Sequence, residues 1–148
     1  MPNTIHLTVA TIVERDGQFL MVKETKFGRQ VINQPAGHVE PGEEIQAAAI
    51  RETFEETGWH VKLTGFLGFL TSFNETSGIT YYRLAFAAEA LEFDTDAVID
   101  SDIDYALWMS YEEIQQNLEQ LRSPGVISCV DDYLAKRIYP MEIFRNAL

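Results

Sequence analysis

The stretch from Glu43 to Gly58 constrains this chain more than any other part of it. Glu43 to Thr57 is built mostly of good helix formers, and Gly58 stands where a left-handed residue would end a helix. Within that helix Glu52, Glu55 and Glu56 fall at positions i, i+3 and i+4, so they project from one face. Three like charges there repel one another, and near the C-terminal half they also oppose the macrodipole. The arrangement costs stability unless something offsets it. A bound Mg²⁺ does so, because it takes hard oxygen ligands, tolerates carboxylates, and retains room for water and phosphate oxygens. Arg51 follows Glu43 by a little over two helical turns and reaches back to it, a pair that orients one acid while leaving the others free for metal. A glutamate-rich helix is more often only a solvated face, so the three acids do not decide the matter alone.

At 148 residues and 46% hydrophobic content the chain is sized for one domain spanning 1–148 with a continuous core. Its 11 basic residues against 23 acidic ones give a formal charge of −12, which repels polyanions and argues against a nucleic-acid polymer as partner. Phosphates remain accessible to an acidic protein when a divalent cation stands between the two. A single cysteine, Cys129 in apolar surroundings, excludes an intramolecular disulfide framework and reads as a core thiol in a reducing compartment. No stretch approaches 18 uninterrupted apolar residues, and Met1 to Ala10 lacks the basic-then-apolar pattern of a leader, so a cytoplasmic protein away from membranes is expected.

Along the chain, Ile5–Glu14 and Gln18–Glu24 are β-rich runs flanking Asp16-Gly17, a hairpin signal. Val61–Phe73 and Ile79–Phe93, separated by the turn-prone Asn74–Gly78, predict a second hairpin. An acidic segment, Asp94–Asp104, precedes a short strand at Ala106–Met109. Ser110 and Glu113 have capping-box spacing and open a helix near Tyr111; Ser123-Pro124 offers an N-cap and a first-turn proline for a last helix ending near Arg137. Strands and helices mix, which predicts an α/β or α+β layering.

Gly37, Glu43, Arg51, Glu52, Glu55, Glu56 and Gly58 together resemble the Nudix box, Gly-x5-Glu-x7-Arg-Glu-U-x-Glu-Glu-x-Gly-U with U apolar, over residues 37–59. Seven specified positions match by chance about once in a hundred million starts, which outweighs the solvated-face reading. Thr53 departs from the usual aliphatic residue, and Trp59 fills the last apolar position. The resemblance implies an α/β/α sandwich around a mixed sheet and a hydrolase of phosphoanhydride bonds using Mg²⁺, with Mn²⁺ as a substitute. It implies Glu52, Glu55 and Glu56 as metal ligands, joined by the backbone carbonyl of Ala36, and Glu43 with Arg51 as a stabilising pair. A further acid is expected from the loop ahead of Trp108: Asp102 or Asp104, then Asp100, in a segment that reads equally well as an ordinary acidic loop. Glu55 or Asp104 is the expected general base, with Glu52 also in the catalytic set.

Flanking segments, Asn33–His38, Ser101–Asp104, Leu121–Pro124 and Tyr139-Pro140, resemble a bacterial phosphatase-type branch acting on nucleoside di- and triphosphates and on thiamine or hydroxymethylpyrimidine pyrophosphate. Arg29, Lys26 and Arg83 are candidate phosphate or leaving-group contacts. Phe27, Asn33, Gln34 and Tyr82 are candidates for recognising a ring, and Asp102 is also counted among the substrate contacts; polar residues before a proline are more often turn formers. His38 reads as a supporting residue, His6 and His60 as strand or edge histidines. Two other functions stand beside this one: cleavage of an internal diphosphate in a nucleotide sugar, dinucleoside polyphosphate or ADP-ribose, and a non-catalytic nucleotide-binding regulator. The expected partner is a small phosphoanhydride, and the expected assembly a monomer or homodimer.

Overall fold

The computed structural model describes residues 4–147. Seven strands and three α-helices follow in the order β1 (Thr4–Arg15), β2 (Gln18–Lys26), β3 (Arg29–Asn33), β4 (Ala36–His38), α1 (Ile45–Thr57), β5 (Trp59–Asn74), β6 (Ile79–Phe93), β7 (Ile103–Ser110), α2 (Tyr111–Gln116) and α3 (Gly125–Leu134), with short 3-10 turns at Leu118–Gln120 and Met141–Ile143. Among the described residues no helix is long and apolar enough to cross a membrane.

Strand β1 organises the sheet. Asp16 and Gly17 carry φ of 52° and 79° and turn the chain into β2, as the sequence predicts. The two strands then stay paired only at Glu14–Phe19 and Arg15–Gln18 before they diverge. Away from the turn β1 runs parallel to β6 from Thr4–Ile79 to Val13–Ala88, and its other edge takes β4 at Thr8 to Ala10. Strand β2 meanwhile pairs antiparallel with β3 and with β7. The result is a forked, mixed sheet whose two arms share the β1–β2 corner.

Side-chain alternation assigns the faces. Val9 of β1 and Leu84 and Phe86 of β6 pack on Ala48 and Ala49 of α1. The intervening Ile12, Ala85 and Ala87 pack with Phe19, Met21, Ile114, Val126, Cys129 and Val130, under α2 and α3. The sheet is thus sandwiched between α1 and the α2/α3 pair, the α/β/α layering expected.

Helix α1 ends at Gly58 in the left-handed conformation, φ 79°, with its N–H donating to the Phe54 carbonyl at 2.8 Å. Thr53 at the aliphatic box position is fully buried, and its hydroxyl donates to the Ala49 carbonyl at 2.7 Å. Thr11 of β1 therefore serves as donor in the 2.7 Å Thr11–Thr53 hydroxyl pair, so the buried polar groups satisfy one another. The box's polar departure is matched by a polar residue on the facing strand.

The capping box forms at Ser110 and Glu113. The last helix differs from expectation. Pro124 occupies the N-cap without a side-chain bond, and Ser123 contributes its carbonyl, which accepts from Val126 N–H at 3.1 Å. The helix stops at Leu134, short of Arg137, because Lys136 takes φ 59° and turns the chain so that Tyr139 exchanges two backbone hydrogen bonds with Phe66, at 2.9 and 2.8 Å.

Candidate active site

The carboxylate helix lies against the short strand β4, and each acid meets a different environment. Gly37 lets Glu52 come close: a Cβ built there would sit 2.1 Å from the Glu52 carboxyl carbon and 2.3 and 2.5 Å from its oxygens. Burial is the main cause raising the Glu52 carboxyl pKa, opposed by Arg51. Glu56 is buried, and its carboxylate accepts the backbone N–H of Ala36 at 2.9 Å. Desolvation pushes this group up to about 8, with Glu52, Glu24 and Asp100 adding in the same direction. Glu55 is the most open of the three, with 41% of its side chain accessible.

Arg51 does more than hold Glu43. It grips that carboxylate with two bonds, Nε–Oε2 at 2.7 Å and Nη2–Oε1 at 2.9 Å, and Nη2 also donates to the His38 carbonyl at 3.0 Å. The fork holds Glu43 below its ordinary pKa. Its Nη1 turns the other way, to Glu52 at 2.9 Å and Glu55 at 3.0 Å. The expectation that Arg51 leaves those acids free is therefore corrected: without metal, Arg51 supplies their counter-charge. No three acidic, cysteine or imidazole side chains among the described residues are already gathered as a metal cage.

The donor set nevertheless fits a hard cation. Two desolvated carboxylates with raised pKa values sit side by side, the buried one meets only an amide N–H, and Gly37 keeps the space beside Glu52 open.

The acidic segment packs onto the end of α1: Asp100 N–H donates to the Glu55 carbonyl at 2.9 Å, and Asp94 N–H to the Gly58 carbonyl at 2.9 Å. It satisfies helix-end acceptors and is more than a solvent loop. Of its acids, Asp100 acts electrostatically on Glu52 and Glu56. Asp102 is exposed and its N–H bonds the Asp100 carboxylate. Asp104 lies on the other arm of the fork, where its carboxylate accepts from Thr25 at 2.7 Å and Gln30 at 3.1 Å, bonds that hold its pKa down.

The ring and phosphate candidates separate as well. Gln34 is buried, with its carbonyl oxygen on Arg83 and its amide nitrogen donating to the Val126 carbonyl. Asn33 is also buried, accepting from Arg83 at 3.3 Å and donating to Glu24 at 3.5 Å. Both amides are spent on the fold. Arg29 donates to the Glu119 carbonyl, and Lys26 lies 4.0 Å from Glu24. Strand alternation turns Tyr82 to the α1 face beside Phe69, ring centroids 5.8 Å apart, and puts Tyr81 on the opposite face against His6, at 5.3 Å. His6 and His38 share a hydrogen bond of 2.9 Å, and His60 stacks on Phe54 at 4.4 Å. Phe27 is fully exposed at the β2–β3 turn.

Sequence reasoning missed Glu24 and Arg122. Glu24 is buried on β2 and accepts from Arg122 at 2.7 Å. A lone charge inside a β-rich run was the available signal for Glu24; Arg122 stood in a segment noted only for its branch resemblance.

The site and sheet define a class. The chain belongs to the Nudix family and is a hydrolase of phosphoanhydride bonds: the NUDIX domain model matches residues 4–127. Members of this family generally use a divalent metal ion. Within it, the chain is 38% identical over 138 residues to Phosphatase NudJ of Escherichia coli strain K12, covering 93% of this chain and 89% of that one, and equally to Phosphatase NudJ of Shigella flexneri. It is similar to a solved NUDIX hydrolase from Nitrosomonas europaea, with a TM-score of 0.92 and 36% identity over 99% of this chain and 98% of that one. A UDP-X diphosphatase structure shares the fold alone, TM-score 0.72 at 17% identity over 90% of this chain and 64% of that one.

Proposed function

We propose that this hydrolase is a Mg²⁺-dependent phosphatase that releases orthophosphate from nucleoside di- or triphosphates or from related pyrimidine and thiamine pyrophosphates, with Mn²⁺ able to replace Mg²⁺. The carrying observation is the pair of desolvated carboxylates, Glu52 against Gly37 and Glu56 against the Ala36 N–H, with Glu55 beside them. The likeness to Phosphatase NudJ over most of both chains supports terminal-phosphate removal.

In this reading Glu52, Glu55 and Glu56, with the Ala36 carbonyl, hold the ion. When bound, Mg²⁺ neutralises phosphate oxygens and lowers the pKa of water beside them. The chain's own part is positioning. Glu56 stays aligned through its bond to the Ala36 N–H, and Arg51, anchored on Glu43 and the His38 carbonyl, keeps Glu55 oriented while its carboxylate takes the proton of the attacking water. Glu55 suits that task because it is the most accessible of the three, whereas Asp104 is engaged by Thr25 and Gln30.

The test is incubation of wild type and Glu55→Gln with Mg²⁺ and a panel of diphosphates, followed by product analysis. Orthophosphate from wild type, with turnover about 10²-fold or more lower in the variant, is expected. Pyrophosphate or two monophosphates would replace this reading with internal cleavage, and no product from any substrate would leave a nucleotide-binding regulator.

A further inference from the structure

Outside the carboxylate helix, the least ordinary chemistry in the fold is a pair of arginines that the metal-ligand reading does not use. An acidic chain with only 11 Lys and Arg places two of them, Arg83 and Arg122, in one chain of hydrogen bonds, Arg83 to Asn33, Asn33 to Glu24 and Arg122 to the same Glu24.

Arg83 is deeply set on the α2/α3 face of β6, in the same row as Ala85 and Ala87. Its hydrogen-bond acceptors are two neutral amide oxygens, those of Asn33 and Gln34. Its Nε is sealed from solvent without a partner among the described residues, yet the residue keeps part of its surface open. A desolvated cation facing only neutral acceptors is expensive, and burial draws its guanidinium below the usual arginine range. A stable fold would normally set a carboxylate against it. Here Glu24, which shares Asn33 with Arg83, is given instead to Arg122.

Arg122 is fixed from behind and open in front. Its backbone N–H donates to the Ile32 carbonyl at 2.8 Å, and its Nη1 donates to Glu24 at 2.7 Å. The other guanidinium donors have no partner among the described residues, and 43% of the side chain is accessible. One bond thus orients the fork while a second edge stays available for a bidentate acceptor.

The placement adds the last link. Asn33, which holds Arg83, ends β3, and Ala36, which holds Glu56, opens β4 three residues later. The arginines and the carboxylate helix therefore flank one short piece of chain. Two guanidiniums against one carboxylate leave an excess positive charge beside a row of acids, an arrangement suited to a phosphate.

We propose that Arg122 and Arg83 form a metal-independent phosphate clamp that takes the substrate phosphate not held by the carboxylate helix. This rests on the phosphohydrolase reading and names the contacts by which that site recognises its substrate. An ordinary half-exposed ion pair between Arg122 and Glu24 is the competing account, and it predicts no anion binding.

The experiment is calorimetric titration of inorganic pyrophosphate into metal-free, chelator-treated protein, using wild type, Arg122→Ala, Arg122→Lys, Arg83→Lys and Glu55→Gln, with circular dichroism to verify folding. Wild type should bind and Glu55→Gln at least as tightly, since it removes one negative charge from the neighbouring row, while Arg122→Ala loses about tenfold in affinity and the two lysine variants, which keep charge but lose the fork, lie between. With Mg²⁺, Arg122→Ala should raise KM by about the same factor and leave kcat within about twofold. Absence of binding by metal-free wild type, or equal binding by folded Arg122→Ala, overturns the clamp. Binding without turnover of any substrate overturns the phosphatase reading and leaves the clamp standing.

Discussion

Gly37 offers the sharpest handle on the site, because adding a single methyl group there should displace one carboxylate and nothing else. The Cβ of Gly37→Ala would lie 2.1 Å from the Glu52 carboxyl carbon, whereas ordinary contact begins at 3.4 Å, so the carboxylate must retreat by about 1.3 Å (3.4 less 2.1). The backbone of Gly37 is not in the left-handed region, so alanine adds no conformational strain of its own. Glu52 sits at the end of a flexible side chain and can swing aside at modest cost to stability. A displacement of that size at a reacting centre is worth about 10²-fold in rate. The expected result is orthophosphate release slowed by about 10²-fold, a higher Mg²⁺ concentration for half-activity, and little change in Tm. Gly65→Ala is the matched control: its Cβ meets Ile138 Cγ2 at the same 2.1 Å, with Ile138 and Tyr139 and no acid as its nearest neighbours, and should lower Tm while sparing the rate of the folded enzyme. Gly37→Ala turning over at the wild-type rate would refute the reasoning that Glu52 must stand where the structure puts it.

Two further outcomes can be checked on stability alone. Phe27 holds φ 53° with its ring fully exposed, a left-handed strain that no packing contact offsets, so Phe27→Asn should stabilise the fold by about 1 kcal/mol and raise Tm by about 3 °C in a thermal melt. Tyr133 is pushed up to about 12 by burial and then by its bond to Glu14, so its neutral form is favoured in the fold. Stability from that shift is fully present below the ordinary tyrosine pKa of about 10 and is lost as pH rises through 12, so urea midpoints should fall more steeply over that window in wild type than in Tyr133→Phe.

Much of the fold was legible because its signals are local. The Asp16-Gly17 turn, the Gly58 stop and the Ser110–Glu113 box each act within a few residues, and all three form as read. The fork in the sheet was not legible, since nothing in Ile5–Glu14 says that β1 will leave β2 after two residue pairs and run parallel to β6. The end of the last helix was misread because a distant pairing, Tyr139 with Phe66, decides where the chain must turn. For the site, the box placed the three glutamates on one helix and paired Glu43 with Arg51, as spacing requires. Residues brought in from other elements were harder. Tyr82 and Tyr81 differ by one position, and only the strand's orientation tells which meets His6. Asn33 and Gln34 have the donor and acceptor pattern of ring readers, but Arg83 takes up their oxygens while Glu24 and the Val126 carbonyl take up their nitrogens, pairings that no local pattern reveals.

Cys129 lies wholly inside the α2/α3 layer, where burial holds its thiol above the ordinary range and the neighbouring Arg83 pulls the other way. As the chain's sole sulfhydryl it is a natural reporter. An alkylating reagent can modify it only when α3 lifts from the sheet, so the labelling rate measures that opening directly. Any ligand that settles on Arg83 should slow the same reaction, letting one unmodified atom record both the breathing of the fold and the occupancy of the neighbouring guanidinium.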